Sequence, residues 1–284
     1  MTATTPTTAG DTSGGTAGSR GVSARARRDT ADVTIRPVPF HRLLDVELRK
    51  TLDTRAGAWL LASIALIACL VVGVFALWGN EDELDMQSFA STISFPMLLV
   101  LPMVAVLAVT SEWTQRSALT TFALVPRRGR VVGAKAAAAL LVAVAASAVQ
   151  LGASALGAVA AAAFRGLDAR WDLPLDLALR LALLNVVAVA VGFAWAVLIR
   201  ASAPALVAYL TFVLVLPMLS GIVAAVSDWY SEHSAWLDLS STMLVLSAPS
   251  VSGEEWAQLG TAALLWVGVP LAVGLRRLVR VEIR

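Results

Sequence analysis

The segment SEWTQRSALTTFALVPRRGRVVGAK, residues 111–135, lies between two long apolar runs and separates them into two predicted helices. Pro126 is expected to end any helix within it, because proline lacks an N–H and disfavours helical backbone in the preceding residue. A short basic amphipathic element between two membrane spans suits docking to a partner at the membrane face. The alternative is a basic loop that only sets topology. The charged residues are Glu112, Arg116, Arg127, Arg128, Arg130 and Lys135, and the apolar ones are Trp113, Leu119, Phe122, Leu124 and Val125.

Composition predicts an all-α polytopic membrane protein. Hydrophobic residues make up 58% of the 284 and charged residues only 15%. The mean hydropathy of +0.75 is too high for a soluble domain. Six apolar runs approach or exceed the roughly 20 residues that cross a bilayer. The predicted transmembrane domain is residues 39–284, with spans at about 57–78, 89–110, 132–164, 177–199, 204–226 and 256–273.

Two of these spans leave alternatives open. The third run is longer than one crossing requires, so it is expected to tilt or to project beyond the membrane. The fourth and fifth runs would give a five-span protein if they were fused across residues 200–203. Their combined length is far too great for one crossing, which favours six spans.

The distribution of basic residues predicts an orientation. Most arginines and lysines flank alternate ends of the spans, whereas the loop at residues 80–88 is acidic and has no basic residue. Loops on the other side carry only Arg165, Arg170 and Arg180. Because cytoplasmic loops are enriched in Lys and Arg, both termini are predicted to be cytoplasmic. The basic patches indicate topology and anionic lipid rather than nucleic acid.

Three segments outside the spans have distinct characters. Residues 1–38 are rich in Thr, Ser, Gly, Ala and Arg and are predicted to be a disordered cytoplasmic tail. Residues 40–55 repeat leucine at helical spacing among charges, which predicts an amphipathic helix on the membrane surface. Residues 227–255 contain Trp, Tyr and an apolar stretch, which predicts a short interfacial or re-entrant helix on the outer side.

The sequence offers no catalytic or metal-binding pattern. It has no hydrolase or metalloprotease motif, and its one cysteine, Cys69, lies in an apolar run.

No ionisable residue sits in the middle of a predicted span, where ion-coupled carriers usually need one. The main amides within spans are Gln150 and Asn185. They are expected to hydrogen-bond between helices or, alternatively, to line a substrate path. Any work done in transport must therefore come from another subunit.

The segment at residues 111–135 resembles the loop after the second span in ABC-2 type permeases of ABC transporters, especially an actinobacterial branch. The features that carry the resemblance are Glu112–Trp113, Arg116, the stretch from Leu119 to Phe122, Pro126–Arg127–Arg128 and Lys135. Ser117 and Ala118 stand where many members have Gly or Thr. The run Glu47–Leu48–Arg49–Lys50 also resembles the family's interfacial helix, and the resemblance covers residues 40–284.

The resemblance implies a permease subunit in a bacterial plasma (inner) membrane that catalyses no reaction itself. Such permeases form homo- or heterodimers, and each subunit binds a separate cytosolic ATPase that holds ATP and Mg. Export is the implied direction, and no cofactor is expected in this chain. The implied ATPase-coupling residues are Glu112, Trp113, Arg116, Phe122, Pro126, Arg127 and Arg128.

Two rival functions share much of this pattern. A membrane scaffold or regulatory subunit could bind an ATPase without transporting anything, and no residue in the sequence separates it from a permease. A membrane enzyme acting on lipids would need clustered His, Asp or Glu at one face. The acidic loop at residues 81–85 comes nearest to that requirement, and it resembles a topology determinant.

Overall fold

The computed structural model describes residues 39–114 and 128–280, and these are almost entirely helical, with no strand among them. They belong to one compact unit that begins at Pro39. The predicted tail, residues 1–38, lies outside the described residues. The helices are α1 (Phe40–Asp53), α2 (Arg55–Trp78), α3 (Met86–Thr114), α4 (Arg128–Arg165), α5 (Leu175–Ile199), α6 (Ser202–Val226), α7 (Asp228–Leu237), α8 (Leu239–Thr242) and α9 (residues 253–280).

Six of these helices are long and apolar enough to cross a membrane, as predicted. They are α2, α3, α4, α5, α6 and α9. The five-span alternative is wrong, because α5 ends at Arg200, whose φ of 60° is left-handed and stops the helix. Helix α4 has 38 residues, or about 57 Å at 1.5 Å per residue, so it extends well beyond a hydrocarbon core of about 30 Å.

Helices α3, α4 and α5 form the centre of the bundle. In their most apolar windows 61, 50 and 56% of residues are buried, against 17, 17 and 22% in α2, α6 and α9. The outer three helices therefore present wide apolar faces. Exposed aliphatic side chains on these faces suit lipid or another protein, because water would not stabilise them.

Small residues and prolines allow the central helices to approach closely. A Cβ on Gly192 of α5 would lie 2.9 Å from the carbonyl oxygen of Pro102 in α3, so only glycine fits there. Pro102 also leaves the carbonyl of Leu98, four residues earlier, without its helical donor. The buried hydroxyl of Tyr209 in α6 donates to that carbonyl at 2.5 Å. The turn of α3 around Pro102 therefore contacts both α5 and α6.

Two spans contain a π turn shortly before a proline. Thr211–Val215 interrupts α6 ahead of Pro217, and Leu264–Gly268 interrupts α9 ahead of Pro270. A π turn inserts one extra residue per turn and changes which face the following residues present. In both spans the irregular turn therefore lies just ahead of the proline.

The segment between α6 and α9 folds back against the bundle. Leu237, at the end of α7, accepts a hydrogen bond through its carbonyl oxygen from Trp266 Nε1 of α9 at 2.6 Å. Trp266 lies about 20 Å along α9 from Gly253 at 1.5 Å per residue. Leu239 and Met243 beyond it are fully buried. A short helix was predicted here in interfacial or re-entrant form, and this depth favours the re-entrant form.

Candidate functional site

Helix α1 packs one face on the bundle and leaves the other exposed. Thr54 ends it, and the Thr54 side chain accepts from the backbone N–H of Gly57 in the first turn of α2. Leu44, Leu48 and Thr51 recur at helical spacing on the covered face. A helix is therefore present within the segment predicted at residues 40–55, and it contacts α2, α3 and α4. Its amphipathic placement on a membrane surface stays a prediction.

A buried ion pair joins α1 to α4. Glu47 Oε2 lies 2.6 Å from Lys135 Nζ, and their side chains are each 7% exposed. Lys135 Nζ also donates to the carbonyl oxygen of Ala108 in α3 at 3.3 Å. The other oxygen of Glu47 accepts from Lys50 at 3.0 Å. We call the group formed by Glu47, Lys135 and the Ala108 carbonyl the ionic node; it ties three helices together.

The ionic node lies at one end of the bundle. Ala108 is about 33 Å along α3 from Met86 at 1.5 Å per residue, close to the thickness of a bilayer core. The charged groups of Glu47 and Lys135 can therefore lie outside the hydrocarbon core of a membrane. Close charge pairs away from bulk water attract strongly, and removal of one partner strands the other. The node is thus a specific connection among the three helices that requires both charges to be present.

Further contacts bring α5, α6 and α9 to the same end. Thr110 of α3 and Ser202 of α6 share a hydrogen bond of 2.8 Å between their hydroxyls. Arg200 Nη2 donates to the carbonyl of Gly274 in α9 at 3.1 Å. Partial burial, and then the nearby charge of Arg277, lower the pKa of Arg200. We call this end of the bundle, which carries Lys135, Arg200 and Arg277, the basic end.

The opposite end uses its few arginines to bind carbonyl groups. Arg165 donates to Leu77 at 2.5 Å, and Arg170 donates to Asp82 at 2.9 Å. Arg180 donates to Ala248 at 2.6 Å. These side chains hold the connecting segments onto the helix ends.

The predicted coupling residues are only partly within the described structure. Glu112 and Trp113 lie in the last turn of α3, and Arg128 is the first residue of α4. The predicted coupling residues Arg116, Phe122, Pro126 and Arg127 lie outside the described residues. The structure thus places the two ends of the predicted docking segment next to the ionic node. It leaves the roles of all seven residues as predictions.

The two predicted amides meet near the middle of the bundle. Gln150 Nε2 of α4 donates to the Ala90 carbonyl at 2.8 Å and to Ser94 Oγ at 2.7 Å, both in α3. Asn185 Nδ2 of α5 donates to Gln150 Oε1 at 2.8 Å and to Ser147 Oγ at 3.0 Å. The expected hydrogen bonds between helices are therefore present. Gln150 is 2% exposed and Asn185 0%, and their role in a substrate path stays a prediction.

Two features of the site were missed from sequence. Glu47 and Lys135 were each noted in the motifs, but nothing indicated that residues 88 positions apart would pair. Asp238 was placed in an outer loop, yet it is 2% exposed. Its Oδ1 accepts from the backbone N–H of Ser240 at 3.0 Å, while its buried Oδ2 has no hydrogen-bond partner among the described residues. The burial of Asp238 was missed because the sequence does not indicate how deeply the segment between α6 and α9 lies in the bundle.

The architecture defines the class as an all-α protein whose six apolar helices suit a multi-pass membrane protein. No protein-family model matches the chain, and a search of curated proteins finds no match. The functional conclusion therefore depends on the helices and their contacts.

Proposed function

We propose that this chain is the transmembrane subunit of an ATP-driven ABC-2 type transporter and that a separate cytosolic ATPase docks at its basic end. The observation that carries the proposal is the ionic node. It joins the amphipathic helix α1 to the inner ends of α3 and α4, between which the predicted docking segment runs.

The node gives a physical route for coupling. Ala108 lies about 9 Å along α3 from Thr114, and Lys135 lies about 10 Å along α4 from Arg128, at 1.5 Å per residue. A displacement of the segment between Thr114 and Arg128 would reach the node through less than two helical turns on either side. Rigid, packed helices transmit such displacements, because cores are not continuously deformable.

The remaining parts of the proposal rest on charge and exposure. The basic end faces the cytoplasm under the positive-inside rule, which places both termini there. The bacterial plasma membrane is the location that the resemblance implies. The uncovered apolar faces of α2, α6 and α9 leave room for lipid and for a second permease subunit, identical or different. Export is the direction that the resemblance implies.

The test is co-purification of an ATPase with tagged full-length protein in mild detergent. Phe122→Asp is expected to abolish co-purification, because a charged side chain cannot occupy an apolar pocket on the partner. Charge reversal of Arg127 and Arg128 together is expected to weaken it. Trp229→Asp, an exposed aromatic on α7 at the opposite end, is the matched control and should retain the ATPase.

The outcomes separate the rival functions. Absence of any ATPase from folded wild-type protein would contradict the proposal and favour the hypothesis of a membrane enzyme. A bound ATPase whose hydrolysis never responds to any transported compound, in reconstituted vesicles, would favour the scaffold. Retention of the ATPase by Phe122→Asp would remove the docking role from that segment.

A further inference from the structure

An open groove runs between α5 and the second half of α9. Its volume is about 670 Å³, within the range of small-molecule sites. The walls are almost wholly apolar and include two tryptophans. The residues used below are Trp195, Ile199, Trp266, Val269, Val273 and Arg277.

The groove has the length of one leaflet. From Trp266 to Arg277 the helix rises about 16 Å at 1.5 Å per residue, and half of a bilayer core is about 15 Å. Val269 is 52% exposed and Val273 36% exposed, so the groove opens sideways. Trp195 and Trp266 close its deep end, with ring centroids 6.3 Å apart.

A cationic group stands at the shallow end. Arg277 lines the groove there, is exposed, and has no acidic partner among the described residues. Arg200 lies near Arg277, since partial burial and then the charge of Arg277 lower the pKa of Arg200. Two guanidinium groups that repel each other at a membrane boundary provide a favourable place for an anion.

We propose that this groove binds an anionic phospholipid, with one acyl chain along the apolar walls and the headgroup phosphate on Arg277. Basic pockets between transmembrane helices suit such headgroups, and guanidinium matches phosphate geometry. The lipid belongs to the leaflet at the basic end, which is the cytoplasmic leaflet in the proposed orientation. The inference depends on that orientation alone and makes no use of the ATPase.

Charge complementarity favours lipid over a second copy of the chain. Two copies in one membrane have their basic ends at the same depth, so a symmetric contact through this groove would bring like charges together. An anionic lipid meets the same arginines with the opposite charge. It also covers the exposed valines, which a soluble anion would leave open.

The experiment measures lipid binding to delipidated full-length protein by native mass spectrometry. Dioleoyl phosphatidylglycerol is titrated against dioleoyl phosphatidylcholine, and wild type is expected to prefer the glycerol lipid. Arg277→Gln is expected to weaken that binding about fivefold, the loss expected for one cation near an anionic headgroup. Arg277→Lys should recover part of it. Arg276→Gln, an exposed neighbour, is the matched control and should bind like wild type.

A second variant tests the apolar walls. Val269→Trp fills the open side without changing charge and is expected to reduce lipid binding while Arg277 remains in place. Equal binding of the two lipids by wild type, or unaltered binding by Arg277→Gln, would overturn the inference. So would full competition by inorganic phosphate, which would indicate an anion site without an acyl chain. A change in oligomeric state with Val269→Trp would identify the occupant as a second copy.

Discussion

At the scale of single residues, the ionic node places a buried ion pair where three helices meet. Glu47 and Lys135 are each buried to the same extent and lie 2.6 Å apart. Both side chains have lost most of their contact with water, and the attraction between their charges offsets part of the cost of that burial. A surface pair of the same geometry would stabilise the protein by less than about 1 kcal/mol.

The corresponding prediction concerns Lys135→Met. It leaves the Glu47 carboxylate without its buried partner and is expected to cost about 3 kcal/mol of stability. The measurement is thermal unfolding in detergent. Asp45→Asn removes an exposed acid from the same helix and should change stability by less than about 0.5 kcal/mol. An exchange of the two charges, Glu47→Lys with Lys135→Glu, should recover part of the loss. Equal effects of Lys135→Met and Asp45→Asn would show that the pair contributes little.

At the scale of helices, the amide network determines how α3, α4 and α5 fit together. The Gln150 side chain of α4 donates to the Ala90 carbonyl of α3 and accepts from Asn185 of α5, so it connects three helices. Hydrogen bonds between membrane helices contribute about 0.6 kcal/mol on average and up to about 1.7. The network therefore fixes register more than it supplies stability.

Gln150→Leu is expected to destabilise the protein by about 1 kcal/mol, because it leaves Asn185 with one donor contact and an unsatisfied amide. Asn185→Leu should cost a similar amount, and the double variant less than the sum, since both remove the same contact. Thermal unfolding of the three variants checks this. Additive losses would argue against a shared network. If transport falls while stability does not, the amides line the substrate path instead.

The sequence predicted the helices well and their contacts poorly, for a physical reason. Long apolar runs and the leucine spacing of α1 depend on local composition, so the six long apolar helices and the helical form of α1 were predictable. The Glu47–Lys135 pair depends on where two distant helices cross, which composition does not encode. Asp238 was misjudged because the depth of α7 and α8 follows from packing on α6 and α9. The π turns ahead of Pro217 and Pro270 were not predicted from the sequence.

At the scale of the whole molecule, charge separates the two ends of the bundle. The basic end carries Lys135, Arg200 and Arg277, while the loop at residues 80–88 at the opposite end is acidic and has no basic residue. Cytoplasmic loops carry more Lys and Arg than translocated loops. The arrangement predicts that α1 faces the cytoplasm and that α7 reaches the outer side.

Cysteine labelling tests this orientation, and the chain suits it because Cys69 is its one cysteine. In a Cys69→Ala background, Glu232→Cys places a thiol on exposed α7, and His41→Cys places one on exposed α1. A membrane-impermeant maleimide added to intact cells is expected to label the first and to reach the second only after lysis. The two variants serve as controls for each other, since both sites are solvent-exposed and differ only in the end at which they lie. Labelling of His41→Cys alone in intact cells would show the opposite orientation, in which no cytosolic ATPase could reach the ionic node. Labelling of both sites in intact cells would show that α1 and α7 lie on the same side, which requires an even number of crossings between them.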